Sequence, residues 1–475
     1  METVYYGGAS NNDAALCRNN DSCRKINIYL VHRFFFVCNF GAVLTDLIVY
    51  QSCTVSLKLN ETLCQLLHTN SSSQEAAAIE AKVQPYASIV LMYAFLLRTV
   101  LPSLLSLFLG PWSDKYGRKP LLVSGYMGFS LKFLILSILC NWTVNPWFMQ
   151  VAFIPLAILG GSCNLMLASI CYISDIVKEN DRVWQLAWLN ASLLFGIVLG
   201  TFTGPVIYKQ YGYTAVFGTA TLFCTLTLLY VLFYVPESIK NCPKSSLQSL
   251  FDFSLVKELI STCVKKRDGF NRYVAWCCIL TLLLTIFAME GDATIGFLFV
   301  REYFGWDISS YANYTGATVI LSIVGTLFAV KLLANLLGIS DAALAILSFM
   351  SLLGSAIVKS FAWQPWHMYL SGGIGLFGGV PGPILRAILS KSVPPQDVGK
   401  VFSLTTSLET LTPLGAVPLY TLIYKNYMPP VYYPCPAWLV SVALYSIAIL
   451  LVMCIARRTA RSNNTSYVQL ISESE

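Results

Sequence analysis

Seven ionisable side chains stand inside long apolar stretches of this sequence: Asp46, Arg98, Lys132, Glu290, Asp292, Arg386 and Glu409. A charge in such a setting is costly unless it meets water, a partner or a ligand, so each is a candidate for function. The cations Arg98, Lys132 and Arg386 suit an organic anion, and an arginine fork in particular suits a carboxylate or phosphate. The carboxylates Glu290, Asp292, Asp46 and Glu409 are the candidates for carrying a proton, because desolvation favours their neutral form and a nearby cation the charged one. Glu290 and Asp292 stand two residues apart, about 200° around a helix, so only one of them is expected to face a shared cavity. Aromatic residues make up 13% of the chain and would favour a flat ring system in the ligand.

The elements that must hold these charges are apolar helices. The 475 residues are 56% hydrophobic and only 12% charged, with a mean hydropathy of +0.63. A soluble enzyme carries about twice that share of charge. Apolar runs at 28–50, 85–109, 120–140, 147–172, 184–208, 213–234, 273–299, 311–330, 341–359, 366–390, 401–424 and 437–456 predict twelve transmembrane helices. Only helices or closed barrels satisfy backbone polar groups in hydrocarbon. No helix-face His or Cys cluster, CxxC or P-loop is present, so neither an enzyme, a metal, a nucleotide drive nor any other cofactor is expected. The fifteen cysteines mostly read as small buried hydrophobes.

The net charge of +7 is read by location rather than as a sign of a nucleic-acid polymer. With the amino terminus inside, twenty-one Lys and Arg fall in the inner segments against six in the outer ones. Both termini are therefore expected in the cytosol. The chain divides into a tail (1–27), a six-helix half (28–235), a basic cytosolic linker (236–272), a second six-helix half (273–457) and a tail (458–475). Leu255, Val256, Leu259 and Ile260 of the linker recur at helical spacing and suit either a short interfacial helix or a plain tether. Asn60 and Asn70 open glycosylation sequons in the outer 51–84 loop, and Cys53 and Cys64 share that loop, as a disulfide or as free thiols. The tail sequence Tyr467-Val468-Gln469-Leu470 matches a short clathrin-adaptor signal, which suits the plasma membrane or an endolysosomal membrane.

The turn between the second and third runs reads GPWSDKYGRKP, from Gly110 to Pro120. Gly110 allows close helix approach, Asp114 lies near the start of the third helix, and Lys115, Arg118 and Lys119 supply inner-face charge. Gly110, Asp114, Lys115, Gly117, Arg118 and Lys119 match the signature G-x-x-x-D-[RK]-x-G-R-[RK], and the chain resembles the major facilitator superfamily. The resemblance implies a charge network of Asp114 and Arg118 that latches two halves in one state and releases them in the other. Gly196, Gly200, Gly204 and Pro205 look like the superfamily's fifth-helix GxxxGP element, which otherwise reads as plain helix packing.

A narrower resemblance rests on SDKYGRKPLL, YISD at Asp175, VPES at 235–238, FGWD at 304–307 and GPILRAILSKSVPPQDVGKVFSL at 382–404. These segments are similar to the solute carrier family of the proton-coupled folate transporter and its thymic and lysosomal relatives. That family's tenth-span arginine, implicated in substrate binding, matches Arg386. Its fifth-span glutamate is replaced here by Asn190, and FAMEGDA (287–293) lacks its seventh-span histidine. The expected function is a proton-coupled secondary carrier of an organic anion such as a folate or antifolate, a cyclic dinucleotide or a muropeptide. The alternative is a non-transporting receptor or scaffold on a carrier fold. Within GGIGLFGGVPGP (372–383) the glycines and the prolines, which lack a donor, predict a broken tenth helix.

Overall fold

The computed structural model describes residues 43–69, 74–239, 254, 257, 271–306, 308–394, 397–427 and 435–472. The tail 1–27, the first part of the first run, Asn70 and most of the linker lie outside them. The described chain is helical: α1 (43–51), α2 (Glu61–Thr69), α3 (Gln74–Tyr116), α4 (Lys119–Leu139), α5 (Phe153–Ile158), α6 (Gly161–Ile176) and α7 (Glu179–Tyr234) precede the linker. After it come α8 (Arg272–Phe304), α9 (Ile308–Phe328), α10 (Asp341–Ser360), α11 (Pro365–Ile374), α12 (Pro381–Lys391), α13 (Val398–Leu411), α14 (Pro413–Tyr427) and α15 (Pro436–Ser472).

Among the described residues, ten helices are long and apolar enough to cross a membrane. Two of the twelve runs are not among the ten. The first, 28–50, lies largely outside the described residues, and 401–424 is divided into α13 and α14. Pro413 brings no N–H to the helical ladder, which is interrupted at Thr412. The tenth run breaks as its glycines and prolines dictate: α11 ends at Ile374, a 3₁₀ turn covers Gly375–Phe377, and α12 restarts at Pro381. Gly325 of α9 packs against the Leu376 carbonyl at this break, where a side chain would collide with backbone.

Two sharp bends also use glycine. Gly212, at φ 75°, turns α7 between the fifth and sixth runs, and Gly117, at φ 106°, separates α3 from α4. Gly196, Gly200 and Gly204 are all buried along α7. The largest core cluster unites both sides of the linker, with Leu109, Trp112 and Tyr172 in the same group as Phe349, Ile384 and Phe402. Cys53 is joined by a disulfide to Cys64 of α2, and the exposed Asn60 lies between them in sequence, accepting the Thr62 N–H at 3.3 Å.

Candidate functional site

The turn between α3 and α4 is built around Arg118, which is 1% exposed. Its Nε donates to Asp175 of α6 at 3.0 Å, and its two Nη atoms donate to Asp114 and Ser113, both at 2.5 Å. Burial works against the charged guanidinium, but the carboxylates of Asp114 and Asp175 outweigh it and raise its pKa above the ordinary arginine value. Glu237, in the VPES segment, accepts the N–H groups of Arg118 at 2.7 Å and Lys119 at 3.1 Å, satisfying the start of α4. Its carboxylate occupies the space a side chain at Gly117 would need. Lys115 is exposed, and Lys119 donates to the Leu232 carbonyl at 2.8 Å.

Asp114 reaches across the linker. Its two oxygens accept the N–H groups of Gly399 and Lys400, each at 3.1 Å, at the first turn of α13. A carboxylate there satisfies orphan donors and the positive end of the helix dipole. Along the same seam Ser106 bonds Ser407, Ser403 donates to the Ser106 carbonyl, and Gly110 lies against Ser403 and the Gly399 carbonyl. Cys163 donates to the Thr406 carbonyl at 3.7 Å, Arg182 to Ser390 at 2.7 Å and Asn190 to the Gly379 carbonyl at 3.3 Å. These bonds gather α3, α6 and α7 onto α12 and α13 at one end of the bundle, the latch end.

The charges singled out in the sequence each stand in a different setting. One nitrogen of Arg386, Nη2, donates to both oxygens of Glu409, at 3.0 and 2.8 Å, with the two side chains 13% and 7% exposed. Lys132 is buried with its ammonium 4.8 Å from the ring centres of Phe133 and Phe153. Asp292 accepts from Lys359 at 3.2 Å and from Ser441 at 2.6 Å, and Ser441 bonds the Tyr420 hydroxyl at 2.7 Å. Asp46 accepts from Tyr213 at 2.6 Å. Glu290 is exposed on another face of α8 and acts electrostatically on Arg98 of α3, which is also exposed and lies 5.5 Å from the Phe95 ring. The structure thus separates Glu290 from Asp292 around their helix and brings Arg386 together with Glu409.

Asp175, Glu237, Lys359, Ser441 and the serine seam were not singled out for these roles. The seam had a legible signal: Ser103, Ser106 and Gly110 on one helix, and Gly399, Ser403 and Ser407 on another, repeat small residues at three- and four-residue spacing.

A family model described as the Major Facilitator Superfamily matches residues 78–417. The chain belongs to the Major Facilitator Superfamily. It is 30% identical over 421 residues to a Drosophila melanogaster protein named a probable peptidoglycan muropeptide transporter, SLC46, covering 85% of this chain and 81% of that one. It is 24% identical over 398 residues to the rat proton-coupled folate transporter, covering 83% and 85% of the two chains. The human organic anion transporter MFSD10 has the same fold, with a TM-score of 0.62 over 89% of this chain and 99% of that one at 15% identity. This superfamily member is accordingly a multi-pass membrane protein, with carriers rather than enzymes as its relatives.

Proposed function

We propose that this chain is a proton-coupled secondary active carrier of an organic anion, working by alternating access. In this reading the two halves are 28–235 and 273–457, twelve helices in all. The tails 1–27 and 458–475 and the linker 236–272 are cytosolic, and Asn60 and Asn70 carry glycans on the outside. The latch end is then the cytosolic end, closed here. Release of Asp114 from the first turn of α13 opens it. The GxxxGP glycines from Gly196 to Gly204, with Pro205, keep the fifth helix closely packed while the halves rock. The membrane is the plasma membrane or an endolysosomal one, with Tyr467–Leu470 as the adaptor signal.

The observation that carries the coupling is the Arg386–Glu409 pair. While Glu409 is ionised it occupies the cation that a substrate carboxylate or phosphate would seek. A proton on Glu409 neutralises it and frees the guanidinium, and the substrate anion then takes the vacated bonds. Proton and anion thus enter together, and loss of the proton on the far side restores the internal pair and expels the anion. Lys132 and Arg98 add positive potential. Asp292 and Asp46 are the reserve proton sites, each tied to neighbours in this state.

The candidate anions are folate- or antifolate-like compounds, cyclic dinucleotides and muropeptides, and the muropeptide named for the Drosophila relative supports the last. The test is uptake of labelled methotrexate and of a labelled muropeptide at about pH 5.5 and about pH 7.4, in cells expressing wild type or Arg386→Ala. Acid-stimulated uptake of one of them, abolished in a variant with normal surface expression, is expected. Unchanged uptake by that variant removes Arg386 from the substrate site.

A further inference from the structure

The charges within the spans differ in how they are answered. Arg386, Glu409, Asp292 and Asp46 each have a charged or hydroxyl partner inside the protein, and Lys132 and Arg98 each lie near aromatic rings. Arg98 and Glu290 are exposed, carry opposite charges, and act on one another electrostatically. Among the described residues, however, no hydrogen bond or ion pair joins them.

Their depth is the same. Arg98 lies eighteen residues before Tyr116, where α3 ends at the latch, and Glu290 lies eighteen residues after Arg272, where α8 begins. Asn271 donates to the Ser392 carbonyl at 3.1 Å, which places the start of α8 beside the end of α12, at the latch end. At 1.5 Å per residue both side chains therefore stand about 27 Å from that end. Glu409 is eleven residues into α13, so it stands about 11 Å nearer the latch. An exposed charge at this depth is stable facing water or a ligand, not lipid. Their electrostatic interaction requires proximity, so the two side chains stand near each other at this shared depth, at the side away from the latch.

We propose that Arg98 and Glu290 form a two-pole site for a zwitterionic group of the substrate, its carboxylate on Arg98 and its ammonium on Glu290. A simple anion attracted to Arg98 also meets the Glu290 charge. A ligand with both signs a few ångströms apart satisfies both poles with charge-assisted hydrogen bonds. Glu290 thereby discriminates against anions that lack a cationic group, a repulsive element in the selection. Within the carrier reading, on which this inference rests, the site favours an amino-acid-bearing anion over a cyclic dinucleotide or a folate. A second anionic group of the same molecule would reach Arg386 deeper in the cavity.

The test compares a tritiated muropeptide tripeptide ending in diaminopimelate, which has a free ammonium and carboxylate on its last residue, with the same compound acetylated on that amine. Wild type is expected to take up the free amine at least tenfold faster, and Glu290→Gln to lose the preference at normal surface expression. Equal uptake of both compounds by wild type, or an unchanged preference in Glu290→Gln, overturns the site and leaves the carrier reading standing. Full uptake with no amine preference in the charge-swapped Arg98→Glu/Glu290→Arg pair makes the two residues a mutual lock and also overturns it. Failure to take up either compound or methotrexate at either pH counts against the carrier reading instead. In that case melting of the purified full chain with each muropeptide decides the site: stabilisation by the free amine alone, lost in Glu290→Gln, supports it, and no stabilisation overturns it.

Discussion

Glu409 of α13 holds a single nitrogen of Arg386 of α12 with both carboxylate oxygens, at 3.0 and 2.8 Å. Glu409→Gln removes the competing charge while keeping a hydrogen-bonding side chain. Its uptake at about pH 7.4 is expected to approach that at about pH 5.5, a ratio below about two, with acid stimulation retained by wild type. Persistent stimulation in Glu409→Gln moves the coupling proton to Asp292 or Asp46.

Asp114 accepts two N–H groups of α13, and hydrogen bonds to a charged group contribute about 1.5–3 kcal/mol each. Asp114→Asn weakens that closure. The buried thiol of Cys163, set against Thr406 in the same seam, then reports the opening. Alkylation of Cys163, followed by mass spectrometry of the protein in membranes, is expected to accelerate about tenfold or more, since 1.4 kcal/mol is a factor of ten.

Gly110 has no room for a methyl group: a Cβ there would overlap Ser403 and lie 2.7 Å from the Gly399 carbonyl oxygen. Gly110→Val should therefore fold, because the clash exists only while the seam is shut. Normal surface expression with transport reduced by an order of magnitude or more, and faster Cys163 alkylation, are the expected results. Normal transport would mean that the seam never closes this tightly during turnover.

Lys359 and Asp292 are a structural pair in the half that follows the linker, completed by Ser441 and Tyr420. Both side chains are only half-buried, so removing one partner costs less than the about 3–5 kcal/mol of a fully buried pair, whereas replacing both is often close to neutral. Lys359→Met should lower the melting temperature and surface yield, and Lys359→Met/Asp292→Asn should recover most of both. A double variant no better than the single one would show that the Asp292 charge is not what the loss of Lys359 exposes.

Much of the fold was legible because bilayer solvent leaves so plain a mark on sequence: apolar runs of helix length separated by short polar turns. The broken tenth helix was legible for the same reason, since Pro381, Pro383 and their glycines act on their own backbone. The division of 401–424 at Thr412 was missed because Pro413 sits inside an otherwise continuous apolar run. At the site, Arg386, Glu409 and Glu290 drew attention by being charged where charge is expensive, and Asp114 by its place in the turn signature. Their partners were not legible. Asp114 meets Gly399, 285 positions away, through a backbone N–H that every residue except proline offers, so nothing in the side-chain pattern marks the meeting place. Lys359 lies at the end of its helix, where a lysine ordinarily reads as an interfacial residue.

Glu237 and Ser238 carry a mechanical consequence. Glu237 grips the first N–H groups of α4 and Ser238 reaches Asp175 at 3.1 Å, so the chain enters the linker already fastened to the turn that holds Arg118. A strand moored at that point has no slack between itself and the latch. Any displacement of residues 237–239 is felt at the first turn of α4 and at Asp175, which also holds Arg118. The described start of the linker, 236–239, is therefore fastened to the latch rather than hung from it.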